Sequence, residues 1–310
     1  MALQHRPRGG QMTLNSEIQF EIERLVRAHG ETLPSGTQIA VVVLEISTGN
    51  LAALQGSLNF DGPFVGQVNG ALAWRSPGSL LKPFVYAAAF EARRLAPESV
   101  IHDVPINRAG WGPRNFDREF RGQVTTAEAL RASLNIPAIH VAQTMGLRRC
   151  AGYMESVGVR WRGEAPARAG AGWVVGAAEV RLLDVVNAYA SLGRGGVHRE
   201  GRVFGSEPEE PRRVISGNVC RAIDEILSSK AGAPTGMAGR SSDDVPWFIW
   251  KTGTSSGRRD AWAAGHNRRY AIGVWAGRFH GGGRPEYVGA SAAEPLLAQL
   301  FDLPMIRNSE

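Results

Sequence analysis

Residues 247–275 read WFIWKTGTSSGRRDAWAAGHNRRYAIGVW, and this stretch shows the clearest strand pattern in the chain. It contains three apolar runs, at residues 247–254, 261–266 and 270–275, with short polar segments between them. Runs of this length, rich in aromatic and β-branched residues and bounded by turn residues, predict β-strands. The last two are joined by a tight region at Asn267-Arg268.

A second strand region lies near the start of the chain. Residues 38–46 are rich in Val and Ile, and the turn sequence Ser47-Thr48-Gly49-Asn50 separates them from residues 51–55. This pattern predicts a β-hairpin. The strand regions thus stand at both ends of the chain.

Helical patterns fill the remaining chain. An N-terminal helix is predicted from the spacing of Ile18, Ile22 and Val26, with Ser16 as its cap and Gly30 as its stop. Further helices are predicted at residues 79–95, 125–135, 137–145, 179–192, 216–229 and 292–301. Strands flanking a run of helices predict an α+β fold with one mainly antiparallel sheet. We expect a basic flexible leader at residues 1–12 and one domain at 13–310, with an all-helical block at about 96–230 inserted between the hairpin and the last strands.

Composition excludes several classes of protein. The chain has 310 residues, of which 43% are hydrophobic and 21% charged, and it contains no run of about 18 apolar residues. Cys150 and Cys220 are too few and too far apart in sequence for a disulfide scaffold or a thiolate metal site. The net charge is +6, but the arginines are scattered rather than clustered, which argues against nucleic-acid binding. An anionic cell-wall polymer would suit the charge equally.

Lysine is scarce in this chain. Only Lys82, Lys230 and Lys251 occur, against 32 arginines. Lysine can lose its proton when it is buried or placed near another cation, whereas arginine cannot. Lys82 and Lys251 are therefore candidates for proton transfer, while Lys230 precedes a predicted loop, Ala-Gly-Ala-Pro, and needs no such role.

The first candidate motif is Ser79-Leu80-Leu81-Lys82. It follows a turn at Pro77-Gly78 and opens an apolar helical run, so that Ser79 and Lys82 lie on one helix face. Free backbone N–H groups at a helix N-terminus stabilise a developing oxyanion, and a nearby lysine of lowered pKa can accept the serine proton. A capping serine and a surface lysine would give the same pattern.

The second motif, Lys251-Thr252-Gly253-Thr254, lies on a predicted strand. Thr252 and Thr254 offer hydroxyl donors suited to a carboxylate, and Gly253 lets another backbone approach. The alternative is a basic strand end followed by a turn.

A third pattern, Ser-x-Asn, occurs at Ser57, Ser133 and Ser216. Ser57 precedes Ser79 and ends a strand, and Ser216 is explained as a helix cap. Ser133, with Asn135, ends a helix in the block between the other two motifs, so this copy is selected by its placement.

The three motifs in this order resemble those of the penicillin-binding serine transferases, which include penicillin-binding proteins and β-lactamases. The chain is most similar to the transpeptidase module of class A, bifunctional penicillin-binding proteins, and among them to the 1C type. The resemblance extends from about residue 13 to the end. The matching stretches are TLN at 13–15, RSPGSLLKPF at 75–84, PRNFD at 113–117, ALRASLNIP at 129–137 and KTGTS at 251–255.

The resemblance implies a D,D-transpeptidase that acts on peptidoglycan stem peptides and is acylated by β-lactams. Ser79 is then the nucleophile and Lys82 the general base, and Ser133 bridges Lys82 and Lys251 to relay the proton. No metal or organic cofactor is expected.

The resemblance also implies the substrate-binding groups. Asn135 orients the donor amide, and Thr252, Gly253 and Thr254 form the site for the terminal carboxylate. The backbone N–H groups of Ser79 and Thr254 form the oxyanion hole.

Other functions fit the same motifs. A D,D-carboxypeptidase or a β-lactamase would use water as acceptor, and a non-catalytic β-lactam-sensing domain would keep Ser79 but pass a signal. A structural envelope protein would require the motifs to be accidental. Class A relatives carry a membrane anchor and a glycosyltransferase domain before this module, and this chain shows neither, so we expect no glycan polymerisation by it. By resemblance, we expect it at the periplasmic side of the cytoplasmic membrane.

Overall fold

Five antiparallel strands form the central sheet. Their bounds are β1 Gln38–Glu45, β2 Leu51–Gln55, β7 Ile249–Thr254, β8 Asp260–His266 and β9 Tyr270–Gly277, and their order is β2-β1-β9-β8-β7. The structure is a computed structural model, and it describes residues 11–62, 66–106, 112–204 and 210–307. The predicted hairpin and the three predicted C-terminal strands are confirmed. The leader predicted at 1–12 lies, except for its last two residues, outside the described residues.

The sheet is covered on both faces, which explains why its strands are nearly continuous apolar runs. On β1, Ile39, Val41 and Val43 enter one core with the first and last helices of the chain. Ala40 and Val42 enter the other core, together with the helices between the two strand regions. Because β7 is an edge strand, one side of its backbone is left for the functional site.

Seven of the helices in the described residues occur where the sequence predicts them, with shifted ends. The helices are α1 Ser16–Glu31, α2 Lys82–Glu91, α3 Thr126–Arg131, α4 Asn135–Met145, α5 Leu147–Ser156, α6 Ala165–Ala169, α7 Leu182–Gly193, α8 Gly217–Leu227 and α9 Glu294–Asp302. Of these, α5 and α6 were not predicted. Short 3₁₀ turns lie at Gly78–Leu81, Gly170–Val175 and Thr235–Met237, and a π turn at Gly289–Ala293 precedes α9.

One predicted cap is wrong, and another is at the predicted residue but lacks the capping hydrogen bond. The cap of α1 is Asn15 rather than Ser16, since Asn15 Oδ1 accepts hydrogen bonds from the backbone of Glu17 and Ile18 at 3.0 and 3.1 Å. Ser216 stands at the cap position of α8, but its side chain accepts no capping hydrogen bond. Asparagine and serine are nearly equal as caps, so sequence alone does not separate neighbouring candidates.

The block predicted as all-helical also holds two short antiparallel pairs. These are β3 Val100–Asp103 with β4 Gly122–Thr125, and β5 Val197–His198 with β6 Arg212–Arg213. Strands of two to four residues are too short for an alternating apolar pattern to be recognised. Strand β4 also takes the first residue of the helix predicted at 125–135, and the helix ends at Arg131, so that α3 has six residues.

Within the described ranges, no helix combines the length and the apolar character needed to cross a bilayer.

Candidate active site

The turn that carries Ser79 packs directly against strand β7. A Cβ atom on Gly78 would lie less than 3.0 Å from the carbonyl oxygen of Thr254, and one on Gly253 would lie equally close to that of Pro77. Both distances are far below a van der Waals contact, so only glycine fits at either position. The close backbone approach predicted for Gly253 is therefore present, and the first and second motifs are in contact.

Two buried aromatic donors hold this turn in place. The hydroxyl of Tyr189, on α7, donates to the carbonyl oxygen of Leu80 at 2.8 Å. Trp262 Nε1, on β8, donates to the carbonyl oxygen of Ser76 at 2.8 Å. These hydrogen bonds fix the backbone on both sides of Ser79, whose side chain lines the cleft and makes no hydrogen bond with the described residues.

Lys82 begins α2 one turn after Ser79 and is fully buried. Its Nζ donates to the main-chain oxygen of Ser133 and to Oδ1 of Asn135, both at 2.6 Å. Burial lowers the pKa of Lys82 well below the ordinary value, and the charge of Lys251 lowers it further. The low pKa that a general base needs is therefore built into the packing.

Ser133 lies in the turn between α3 and α4, and Asn135 is the first residue of α4. Ser133 has φ +57°, a left-handed conformation that costs an L-residue roughly 1–2 kcal/mol. This conformation ends α3 and turns the carbonyl oxygen of Ser133 toward Lys82. Lys82 contacts the main-chain oxygen of Ser133 rather than its hydroxyl, and Ser133 Oγ makes no hydrogen bond with the described residues, so the bridge expected through this hydroxyl stays a prediction.

The other two Ser-x-Asn copies lie elsewhere. Ser57 donates to the carbonyl oxygen of Gly66 at 2.6 Å, and Ser216 precedes α8. Ser133 is the copy that the fold brings to Lys82, as its placement in the sequence predicted.

Lys251 is 4% exposed, and its Nζ donates to the carbonyl oxygen of Thr252 at 2.9 Å. Burial lowers the pKa of Lys251 to about 7. Thr254 Oγ1 accepts a hydrogen bond from the backbone of Gly289 at 2.9 Å, so its own proton is available for a ligand.

The motifs open onto a cleft of about 930 Å³. Its wall includes the motif residues Ser79, Ser133, Asn135, Thr252 and Thr254. The charged side chains on its described wall are Arg114, Arg258, Arg284 and Asp117. Three arginines against one aspartate suit an anionic ligand.

Sequence reasoning did not single out two residues of the cleft rim. The Arg258 guanidinium lies 5.7 Å from the centre of the Phe116 ring, and Arg258 Nη1 donates to the carbonyl oxygen of Pro285 at 3.1 Å. Arg258 also has φ +51°, which is rare for a non-glycine residue. Phe116 lies in a stretch matched by the resemblance, but nothing in the sequence pairs it with Arg258.

A smaller cavity of about 320 Å³ adjoins the cleft and shares Ser133 and Thr252 with it. Trp250 and Lys251 continue its wall along β7. The same wall holds Arg131 and Glu294, whose carboxylate is 2% exposed, forms no ion pair with a described residue and accepts a hydrogen bond from the backbone of Gly236 at 3.4 Å. Burial raises the pKa of Glu294.

The described residues contain no cluster of three or more His, Cys, Asp or Glu side chains arranged to hold a metal ion. The groups gathered at the cleft are the hydroxyl of Ser79, the buried amines of Lys82 and Lys251, and the hydroxyls of Thr252 and Thr254. Such a set can perform acyl transfer, with an amine as base and backbone N–H groups beside the nucleophile.

The comparison with protein families gives one match. The family model "Penicillin binding protein transpeptidase domain" matches residues 39–294, which include all three motifs.

Two curated relatives show the extent of the sequence similarity. Penicillin-binding protein 1C of Escherichia coli (strain K12) is 33% identical over 299 residues, which are 96% of this chain and 38% of that protein. Penicillin-binding protein 1A of Neisseria cinerea is 28% identical over 265 residues, which are 77% of this chain and 32% of that protein. The chain thus spans about a third of the length of these relatives.

Solved structures show the same fold. The PonA1 protein of Mycobacterium tuberculosis in complex with penicillin V has a TM-score of 0.79 at 20% identity, covering 97% of this chain and 87% of that one. Penicillin-binding protein 1A of Haemophilus influenzae has a TM-score of 0.73 at 24% identity, covering 89% of this chain and 48% of that one.

Proposed function

The chain belongs to the penicillin-binding protein transpeptidase family, and on that premise we propose that it is a serine D,D-transpeptidase that crosslinks peptidoglycan stem peptides through an acyl-enzyme on Ser79. The observation that supports this most strongly is the burial of two lysines next to the Ser79 turn, both with a lowered pKa. A surface lysine would keep its proton at neutral pH and could not serve as a base.

Acylation begins when neutral Lys82 accepts the Ser79 hydroxyl proton. Ser79 Oγ attacks the carbonyl carbon of the penultimate D-Ala of the donor peptide, and an ester bond forms as the amide C–N bond breaks. The proton passes from Lys82, through the Ser133 hydroxyl, to the nitrogen of the leaving D-Ala. The proton and the electron pair are balanced without any other reactant.

The oxyanion hole is formed by the backbone N–H groups of Ser79 and Thr254. The contact between the main chains of Gly78 and Thr254 supports this assignment, because it brings the two segments together. Preorganised donors of this kind contribute about 2.7–4 kcal/mol each to transition-state stabilisation.

Recognition of the donor uses both sides of the cleft. The hydroxyls of Thr252 and Thr254 bind the terminal carboxylate, Gly253 keeps that strand close to the nucleophile, and Asn135 orients the peptide amide. The excess of arginines on the cleft wall favours the same negative charge. A β-lactam carries an equivalent carboxylate next to its reactive amide, which is why it acylates the same serine.

Transfer to an amine is favoured over transfer to water by the smaller cavity. Its wall includes Ser133, Thr252 and the buried side chain of Glu294. Glu294 is the carboxylate on the described wall, which also carries the cations Arg131 and Lys251, so it is the group there that an ammonium ion would pair with. The acceptor amine of a second stem peptide fits this position. We place the reaction at the periplasmic side of the cytoplasmic membrane, where peptidoglycan is crosslinked.

A donor–acceptor assay tests the proposal. The chain is incubated with a stem peptide ending in D-Ala-D-Ala and with a second stem peptide that offers only an amine, and the products are separated by mass. We expect a crosslinked dimer together with free D-Ala, and neither with Ser79→Ala. Hydrolysed monomer alone would indicate a carboxypeptidase. A stable acyl-enzyme with no peptide turnover would indicate a β-lactam-sensing domain.

A further inference from the structure

We propose that the buried carboxylate of Asp103 is a positioning residue of this active site, which acts through Asn115 to hold Asn135 and, with it, the amine of Lys82. The inference rests on the proposed function, since it concerns the same acylation. Neither Asp103 nor the contact between Asn115 and Asn135 belongs to the three motifs.

A continuous chain of hydrogen bonds links Asp103 to Lys82. Asn115 Nδ2 donates to both oxygens of Asp103, at 2.9 and 2.8 Å. Asn115 Oδ1 accepts from the backbone N–H of Asn135 at 2.8 Å. Asn135 Oδ1 in turn accepts from Lys82 Nζ at 2.6 Å. The carboxylate is therefore connected to the general base through two asparagines, with no gap.

The link between Asn115 and Asn135 is a helix cap supplied from another part of the chain. Asn135 is the first residue of α4, and the cap residue Leu134 has no side chain that can accept a hydrogen bond. The first N–H groups of a helix need acceptors, and Asn115 Oδ1 supplies one. The cap fixes the start of α4, which is where the Asn135 side chain leaves the backbone.

Asp103 sets the orientation of this cap. An amide group can usually be turned over, because its oxygen and nitrogen have similar size. Here the nitrogen faces the carboxylate of Asp103 and also the main-chain oxygen of Glu119, at 2.7 Å, so the oxygen must face Asn135. Asp103 Oδ2 also accepts from the backbone N–H of Arg121 at 3.0 Å, which ties the carboxylate to the segment just before β4.

The same carboxylate acts on the charge of Lys82. Asp103 is fully buried, and no cationic side chain of the described residues forms an ion pair with it. The charged groups that face Lys82 are Asp103 from β3 and Lys251 from β7, and Tyr86 lies one turn further along α2 beside the same carboxylate. Asp103 raises the pKa of Lys82, against the lowering by burial and Lys251. Lys82 can therefore take a proton from Ser79 and still hold it until the leaving amine receives it.

The test measures the second-order rate of acylation by a fluorescent penicillin as a function of pH. Asp103→Asn keeps the size of the side chain and removes its charge. The new amide also places an N–H group opposite the N–H groups of Asn115 and Arg121, which need an acceptor. The acylation rate should rise with pH as Lys82 loses its proton. We expect this rising limb to lie at lower pH in the variant, because the pKa of Lys82 falls. We also expect the plateau rate to fall by at least about tenfold, because small displacements of a base cost about that much or more.

Two further variants separate position from charge. Asn115→Ala removes the cap but leaves the carboxylate, so the plateau should fall by a similar factor. Glu119→Gln removes an exposed carboxylate from the same loop. Its plateau rate and the pH at which its acylation rate rises should equal those of the unaltered chain. Melting temperatures of all variants are recorded with the rates.

Several outcomes would overturn the inference. One is an unchanged profile in Asp103→Asn, and another is a reduced rate without movement of the rising limb, which would indicate a purely structural role. An equal shift of the rising limb in Glu119→Gln would mean that surface charge in general, rather than Asp103, changes the pKa of Lys82. If Asp103→Asn does not fold, an unchanged plateau rate of acylation in Asn115→Ala would refute the inference. Failure of the unaltered chain to acylate would refute the proposed function instead.

Discussion

Lys82 Nζ lies 2.6 Å from Oδ1 of Asn135, so residues of two motifs that are 53 positions apart share one hydrogen bond. The amine makes a second hydrogen bond, to the main-chain oxygen of Ser133. These two contacts and complete burial fix the amine one helical turn from Ser79. The position is suited to proton transfer rather than to holding an anion.

Lys82→Arg should abolish acylation although it keeps the positive charge. Arginine stays protonated in proteins and cannot accept the Ser79 proton. Loss of one member of a nucleophile–base unit typically reduces the rate by roughly 10⁴–10⁶-fold. The measurement is the acylation rate with a fluorescent penicillin. Retention of more than about a tenth of the normal rate would mean that the general base is another group.

Lys251→Arg is the matched comparison. We propose that Lys251, next to Thr252, adds positive charge to the site for the terminal carboxylate, and arginine preserves that charge. We therefore expect a smaller loss than in Lys82→Arg, although the larger guanidinium crowds a site that is 4% exposed. Equal losses in the two variants would contradict the separate roles.

Burial of Lys251 should leave a signature in the pH dependence of stability. Its pKa is about 7 in the folded chain against 10.5 for the free side chain. Between these values the unfolded state binds more protons, so the free energy of unfolding rises with pH. Lys251→Met removes the charge at similar length. Its stability advantage over the unaltered chain should be full below pH 7 and should shrink as the pH approaches 10.5.

Urea unfolding at a series of pH values measures this difference. A constant difference between Lys251→Met and the unaltered chain across that range would show that the pKa of Lys251 is not lowered.

Gly253→Ala should damage acylation while the fold persists. The new Cβ would overlap the carbonyl oxygen of Pro77, and a main-chain atom cannot give way without moving the Ser79 turn. A displacement of about 1 Å costs on the order of 10²-fold in rate. The matched control is Gly152→Ala on α5, where no atom lies within 4 Å of the new Cβ.

Gly152→Ala should acylate normally and gain about 0.5–1 kcal/mol in stability, because alanine is the better helix former. Normal acylation by Gly253→Ala would show that the contact between β7 and the Ser79 turn is dispensable.

The two cysteines should be dispensable. Cys150 and Cys220 are free and buried, and burial raises the pKa of their thiols to about 11 and about 12. Neither is a thiolate at neutral pH, and the mechanism uses no thiol. A chain with both Cys150→Ser and Cys220→Ser should acylate at the normal rate wherever it remains folded, as judged by circular dichroism.

Much of this fold was predictable because the strands of its central sheet are apolar on both faces and most of its longer helices are rich in apolar residues; the five-residue α6 was not predicted. The hairpin and the C-terminal strands were recognised as continuous apolar runs. The scarcity of lysine relative to arginine singled out Lys82 and Lys251. Ser133 could be selected among three Ser-x-Asn copies by its position in the chain alone.

The features that sequence did not predict depend on contacts between distant segments. The left-handed backbone of Ser133 has no local signal, since serine rarely adopts it. The cap that Asn115 gives to α4 joins residues on two segments, and the pairing of β3 with β4 holds Asp103 under it. The smaller cavity appears only when α9 brings Glu294 beside β7.

The acceptor position can be tested with Glu294→Gln. This variant should form the acyl-enzyme at the normal rate, because Glu294 lines the smaller cavity and is not on the described wall of the cleft that holds Ser79. The ratio of crosslinked to hydrolysed product should fall about tenfold, since the amide no longer attracts an ammonium group. An unchanged ratio would place the acceptor elsewhere.

Intact-mass measurement after exposure to penicillin tests whether Ser79 is the nucleophile. We expect one added penicilloyl group per chain, mapped to the peptide that contains Ser79, persisting long after free penicillin is removed and absent in Ser79→Ala. Labelling of Ser79→Ala, or a group that maps to another residue, would contradict the assignment of the nucleophile. Rapid return to the unmodified mass with accumulation of hydrolysed penicillin would identify a β-lactamase rather than a transpeptidase.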